Sequence, residues 1–196
     1  MPPISPAGDS MNLTSPEMIR AVTQKWNGDR DSRGRPLVPD DILERMKLVT
    51  SEEAWGTCKR NGYSFQFAGD WMNLHPERVV VGRAVTCRWV PRRPDVHDSI
   101  DRQGEEDDRV GFQNSWVIDE LETNDLIVVD LFGKVFNGTF AGDNLATAIK
   151  SRSGTGMVID GGIRDTQRIL EMDEFNAFIR GVDPSAILDV SMVEIN

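Results

Sequence analysis

The 196-residue chain is poor in the residues that mark several common protein classes. It has two cysteines, Cys58 and Cys87, too few for a disulfide framework, which suits a reducing, cytoplasmic setting. It has two histidines, His75 and His97, and no Cys-x-x-Cys, so a zinc site of the usual kind is not expected. Positive charge is scarce: 22 Lys and Arg face 32 Asp and Glu, for a formal net charge of −10. That balance argues against a nucleic-acid partner, which needs a basic face to neutralise phosphates. No apolar run approaches the ~20 residues that span a bilayer, and Met1-Pro2-Pro3-Ile4-Ser5-Pro6 lacks the basic and apolar regions of a signal peptide. There is no P-loop and no Gly-x-Ser-x-Gly elbow. Gly154-Thr155-Gly156 precedes a strand pattern instead of following one, so it does not read as a dinucleotide loop.

With 39% hydrophobic and 28% charged residues, the chain can bury one real core. Residues 1–36, rich in Pro, Gly, Ser, Asp and Arg, read as an N-terminal arm with one short helix carrying Met18, Ile19, Val22 and Trp26. Residues 37–196 read as a single α/β domain. Pro39-Asp40-Asp41 opens a helix with Ile42, Met46 and Val49 on one face, and Thr50 with Glu53 forms a capping box for the next, to about Arg60. Val79 to Val90 reads as a long strand ended by Pro91. Pro91 to Val110 reads as a charged solvated loop, with His97 on the surface. Phe112, Trp116, Val117, Ile118 and Leu121 space as a helix, and Leu126 to Leu131 as a strand buried on both faces. Then come a helix from Gly142 to about Lys150, a strand Met157–Asp160, a turn at Gly161-Gly162, a helix around Gln167 to Met172 and an extended run from Asn176 to Ile179. This alternation predicts a compact layered α/β fold. Cys58 and Cys87 read as small buried hydrophobes, and Asn12-Leu13-Thr14 and Asn137-Gly138-Thr139 carry no weight as glycosylation sites without a secretory signal.

Two segments carry candidate chemistry. Gly142-Asp143-Asn144-Leu145-Ala146 starts a helix, where free N–H groups and the positive dipole end can hold a carboxylate or phosphate; ordinary capping by Asp143 is the plainer alternative. Asp160-Gly161-Gly162-Ile163-Arg164-Asp165 leaves a strand at its carboxyl end. There a carboxylate beside a guanidinium can bind a hard cation and an anion side by side, or simply form a surface ion pair.

Taken in order, Val81-Gly82-Arg83-Ala84-Val85-Thr86, Asp125 to Asp130, Gly142 to Ala148, Gly156 to Asp165 and Phe178-Ile179-Arg180-Gly181 resemble the RraA-like family. That family includes the 4-hydroxy-4-methyl-2-oxoglutarate/4-carboxy-4-hydroxy-2-oxoadipate aldolases and the regulator of ribonuclease E activity. The resemblance implies a class II pyruvate aldolase dependent on Mg²⁺ or Mn²⁺, assembled as a homotrimer or hexamer, that acts on a small-molecule 2-oxo acid and decarboxylates oxaloacetate. It implies that Asp165 holds the metal, Arg164 binds the keto-acid oxygens, N–H groups around Gly142, Asn144 and Leu145 hold the carboxylate, and Asp143 assists proton transfer. Oxygen-only ligation fits a chain with so little histidine. The resemblance also implies further strands beyond Asn196, so a truncated C-terminus, or an extra catalytic acid from elsewhere, is expected.

Two alternatives remain. The regulator branch acts by protein contact and lacks the carboxylate after the motif arginine, which this chain has as Asp165. A Schiff-base aldolase would use Lys134 or Lys150. The −10 charge repels an anionic substrate at long range, so a locally positive pocket is required, with Arg164 first and Arg83 and Arg88 as further candidates.

Overall fold

A computed structural model describes residues 15–194. The Met1–Pro6 reading, the Asn12 acceptor and the final two residues lie outside that range. The described chain is a mixed α/β domain whose seven-stranded sheet runs β1-β5-β4-β3-β2-β7, with β6 paired to β4. Its strands are β1 (Met72–Asn73), β2 (Arg83–Pro91), β3 (Asp125–Lys134), β4 (Met157–Ile163), β5 (Ala177–Ile179), β6 (Gly181–Val182) and β7 (Ser191–Val193). The helices are α1 (Pro16–Val22), α2 (Asp40–Met46), α3 (Ser51–Arg60), α4 (Pro94–Glu106), α5 (Gln113–Asp119), α6 (Asp143–Ser153) and α7 (Thr166–Leu170).

The centre is the parallel run β2-β3-β4-β5, in register at Val85↔Ile127, Val129↔Ile159 and Met157↔Ala177. Period-2 alternation sends Ile127, Val129, Leu131, Met157 and Ile159 to one face, where they meet Ile149 of α6, Ile169 of α7 and Ile118 of α5 in one core. The opposite face is more open: Leu126, Val128 and Val158 are half-buried and Asp130 is exposed. The expectation that β3 is buried on both faces therefore fails in the single chain. Its continuous apolar run hides an alternation of buried and more open positions that the packing alone creates.

Four further expectations are corrected. The long strand starts at Arg83, not Val79. Pro91–Val110 is not a loop, since α4 fills it and buries His97, Ile100 and Gly104. Gly104 is required there, because a Cβ would run into the Trp116 ring. On α2 the buried residue is Leu43, while Ile42, Met46 and Val49 stay exposed. Gly161 and Gly162 do not turn; they continue β4. They are small because β3 bulges toward them between Asp130 and Lys134, and a Cβ on Gly161 would sit 2.7 Å from the Lys134 carbonyl. The bulge forces Phe132 to φ 46°, a left-handed conformation that a bulky residue rarely adopts.

Other expectations hold. Thr50 and Glu53 form the reciprocal capping box of α3. Gly154, at φ 71°, closes α6 in the left-handed conformation. The arm is tied to the sheet by Arg35, which donates two hydrogen bonds to the buried Asp125 carboxylate at 2.8 and 3.2 Å. The reading of both cysteines as buried is met only in part, since each keeps some exposure; desolvation pushes the Cys87 thiol up to about 12.

Candidate active site

The parallel strands end where α6 and α7 begin, and the two candidate segments meet there. Gly142 caps α6 with extended backbone, φ −114° and ψ −164°. Its Cα faces the other segment so closely that a Cβ would clash with Asp165 Oδ2 and lie 3.0 Å from Arg164 Nε. The Arg164 N–H donates to Ala141 O at 2.9 Å, stitching the two loops together. Asp165 follows at φ 56°, in the left-handed region, at the cap position of α7 but with no capping hydrogen bond from its side chain. This turn lets the carboxylate face Gly142 instead of its own helix.

Asp143 is the first residue of α6. Its Oδ1 accepts the Asn144 N–H at 2.9 Å and its Oδ2 accepts from Arg168 Nη1 at 2.9 Å. Arg168, and then the Asn144 N–H, hold its carboxyl below the usual carboxylate range. The expected carboxylate cradle is thus partly used by the protein itself at Asn144; the first N–H groups of a helix otherwise have no intrahelical acceptor. Arg164 lies 3.6 Å from Asp165 Oδ2 and 3.4 Å from the buried Thr139 hydroxyl. Both contacts are long, which leaves donors of its guanidinium uncommitted.

Gly142, Asp143, Asn144, Arg164 and Asp165 are therefore brought together, with Leu145 one position further along the same helix start. Arg83 and Arg88 are not. Arg83 sits at the other end of β2, bound to Val38 O and Asp40, and Arg88 pairs with Asp130 and Glu194. Lys134 donates to Phe136 O at 2.7 Å. Sequence reasoning missed Arg168 and Thr139. The signal for Arg168 was its place one helical turn after Arg164; Thr139 carried none. The rim thus holds two guanidiniums and two carboxylates, with Arg164 deep (26% exposed) and Arg168 at the mouth (77%). A separate hollow of about 570 Å³ lies between the arm and β2, but its Arg33, Arg35 and Arg83 are already paired to carboxylates.

The fold and this rim define an α/β domain with an arginine–carboxylate site at the carboxyl end of its parallel strands. A family model described as RraA-like, Aldolase/RraA, matches residues 53–196, and the chain belongs to that family. Among solved structures, it is similar to Streptomyces coelicolor RraAS2, described as an unusual member of the RNase ES inhibitor RraA protein family. The two share 22% identity with a TM-score of 0.65, over 85% of this chain and 72% of that one. A structure titled as novel cellulases from gut-associated microbes matches at 19% identity and a TM-score of 0.64, over 90% and 73%. An uncharacterized Pseudomonas syringae protein matches at 18% and 0.57, over 80% and 66%. At these identities the likeness concerns the fold alone. No curated protein sequence matches the chain significantly. Among the described residues, no helix is long and apolar enough to cross a membrane.

Proposed function

We propose that the chain is a divalent-metal-dependent lyase that cleaves a carboxylated 4-hydroxy-2-oxo acid to pyruvate, with oxaloacetate decarboxylation as a second activity. The observation that carries this reading is the meeting of Arg164 and Asp165 with Gly142 and Asp143 at the head of α6. The donor set suits Mg²⁺ or Mn²⁺ held by Asp165. It is hard and oxygen-only, and a single carboxylate leaves the other positions of such an ion to water and substrate oxygens. When bound, such an ion acts as a Lewis acid toward the substrate's keto oxygen.

The chain's own groups do the rest. Arg164 donates to the keto-acid oxygens and meets the charge that develops on the enolate oxygen as the C3–C4 bond breaks. The start of α6, at Gly142, Asn144 and Leu145, orients the adjoining carboxylate. Asp143, held anionic by Arg168, accepts the C4 hydroxyl proton through an ordered water as that carbon becomes a carbonyl, and C3 is then reprotonated to pyruvate. Arg168, at the mouth, faces the distal carboxylate. Two guanidiniums already balance two carboxylates here, so a divalent cation leaves a local charge of +2 for a dianionic substrate. That answers the requirement set by the −10 overall charge. Because the rim is open, a homotrimer or hexamer that closes it with a neighbouring subunit belongs to the same proposal, as does a cytoplasmic location.

A second reading, a non-catalytic ribonuclease regulator, draws on the description of the Streptomyces structure; the Asp165 carboxylate speaks against it. The test is pyruvate release from oxaloacetate and from 4-hydroxy-4-methyl-2-oxoglutarate, after chelation and after Mg²⁺ or Mn²⁺ is restored. Metal-restored release above the metal-only background is expected. Release that ignores the chelator overturns the metal role, and no release from either compound favours the regulator.

A further inference from the structure

The returning segment Ile187–Ser191 packs beside α4 and the start of α5, leaving between them a small cavity of about 20 Å³. Its walls carry buried polar atoms that the protein leaves without partners: Ser191 Oγ, Asn114 Oδ1, His97 Nδ1 and Trp89 Nε1. All four residues are more than nine-tenths buried. The surrounding groups are committed. Gln113 accepts the Val193 N–H at 2.9 Å and donates to Asp101 Oδ1 at 2.8 Å. The other Asp101 oxygen lies 3.1 Å from His97 Nδ1 but off its bonding direction, and the Trp89 N–H has only the Cys87 sulfur near it.

The orientation of Asn114 is fixed, because its Nδ2 donates to the Phe140 carbonyl at 2.8 Å, and that leaves Oδ1, on a residue lining the cavity, as an acceptor without a donor. Stranding such atoms away from water costs about 1–3 kcal/mol each, so the cavity demands an occupant. Its chemistry selects one. An anion would meet the Asn114 oxygen and the Asp101 carboxylate. A metal cation needs about six oxygen ligands or waters around it, and a space of about 20 Å³ leaves no room for that shell. What fits is a small neutral molecule that both donates and accepts, and the volume admits about one water.

We propose that this cavity is a built site for one water molecule, which accepts from Ser191 Oγ–H and donates to Asn114 Oδ1, and so joins β7 to α5. The site is independent of the lyase reading. The test is a high-resolution crystal structure of the whole chain, with a second crystal grown in bromide. A single peak about 2.7–3.2 Å from both Ser191 Oγ and Asn114 Oδ1, without a bromide anomalous signal, is expected. Ser191→Ala should lose that peak. No density in the wild-type cavity, or a halide in it, overturns the assignment, whether or not the variant folds.

Discussion

Gly142 offers the sharpest test of how the site is built, because the fold and the chemistry place different demands on it. Its backbone, at φ −114°, is open to any residue, so Gly142→Ala introduces no backbone strain. The added methyl would lie well inside the 3.0 Å that real Cβ contacts keep from Asp165 Oδ2, and only 3.0 Å from Arg164 Nε. Both are side-chain ends, so the chain yields there and not in the core. Relief requires the Asp165 carboxylate to move on the order of 1 Å, and a misplacement of that size in a reacting group costs about 10²-fold in rate. The expected result is a loss of about 100-fold in metal-restored pyruvate release and weaker Mg²⁺ activation, with a urea midpoint close to wild type. Gly56→Ala is the control. It lies on α3, with nothing nearer than Arg60 Nη1 at 3.4 Å, so it should leave activity alone and add about 0.5–1 kcal/mol of stability. Full activity in the Gly142→Ala protein would refute the claim that Asp165 works from its observed position.

Asp165→Asn preserves tolerance for the left-handed backbone at φ 56° but removes the charge, so metal-dependent turnover should disappear while circular dichroism stays unchanged. Arg168→Gln should shift the acid limb of the rate profile to higher pH. The Asp143 carboxyl is depressed chiefly by Arg168, its charged form is favoured down to the lowered folded value, and removing the guanidinium lets it protonate nearer its ordinary value of 3.8. The same variant should raise the KM for dicarboxylic substrates more than for 4-hydroxy-2-oxopentanoate, whereas equal loss on both would reduce Arg168 to a positioning residue. Arg35→Leu strands the buried Asp125 carboxylate, which keeps only the Glu122 N–H and an Arg83 contact at 3.6 Å. A loss of about 3 kcal/mol in urea unfolding is expected.

The elements between Leu126 and Ile179 were legible because their signals are local: a β-branched run, a glycine at each end of α6, then another apolar strand; the short strands β6 and β7 beyond them were not read. Helix α4 was not. Its inward stripe is Val96, His97, Ile100 and Gly104, two apolar residues with a histidine and a glycine, set in a sequence crowded with carboxylates. Periodicity scores none of that as a helix face. The histidine is buried because the returning segment Ile187–Ser191 packs against it, and the glycine because Trp116 occupies the space of a side chain. Both reasons are tertiary, and the residues alone do not display them.

The site divides in the same way. Arg164 and Asp165 stood out as a charged pair after a strand, and Asp143 as a carboxylate at a helix start. What binds them into one rim is the absence of a side chain at Gly142 and the positive φ at Asp165. The first looks in sequence like ordinary helix capping and the second like an ordinary N-cap. A capping Asp165 would turn its carboxylate back onto α7 and leave Arg164 without a neighbour to share a ligand. The left-handed turn sends it the other way, against the next segment of chain. The chemistry proposed for this site therefore rests less on which acidic residue follows the arginine than on a backbone angle that gives that residue its direction.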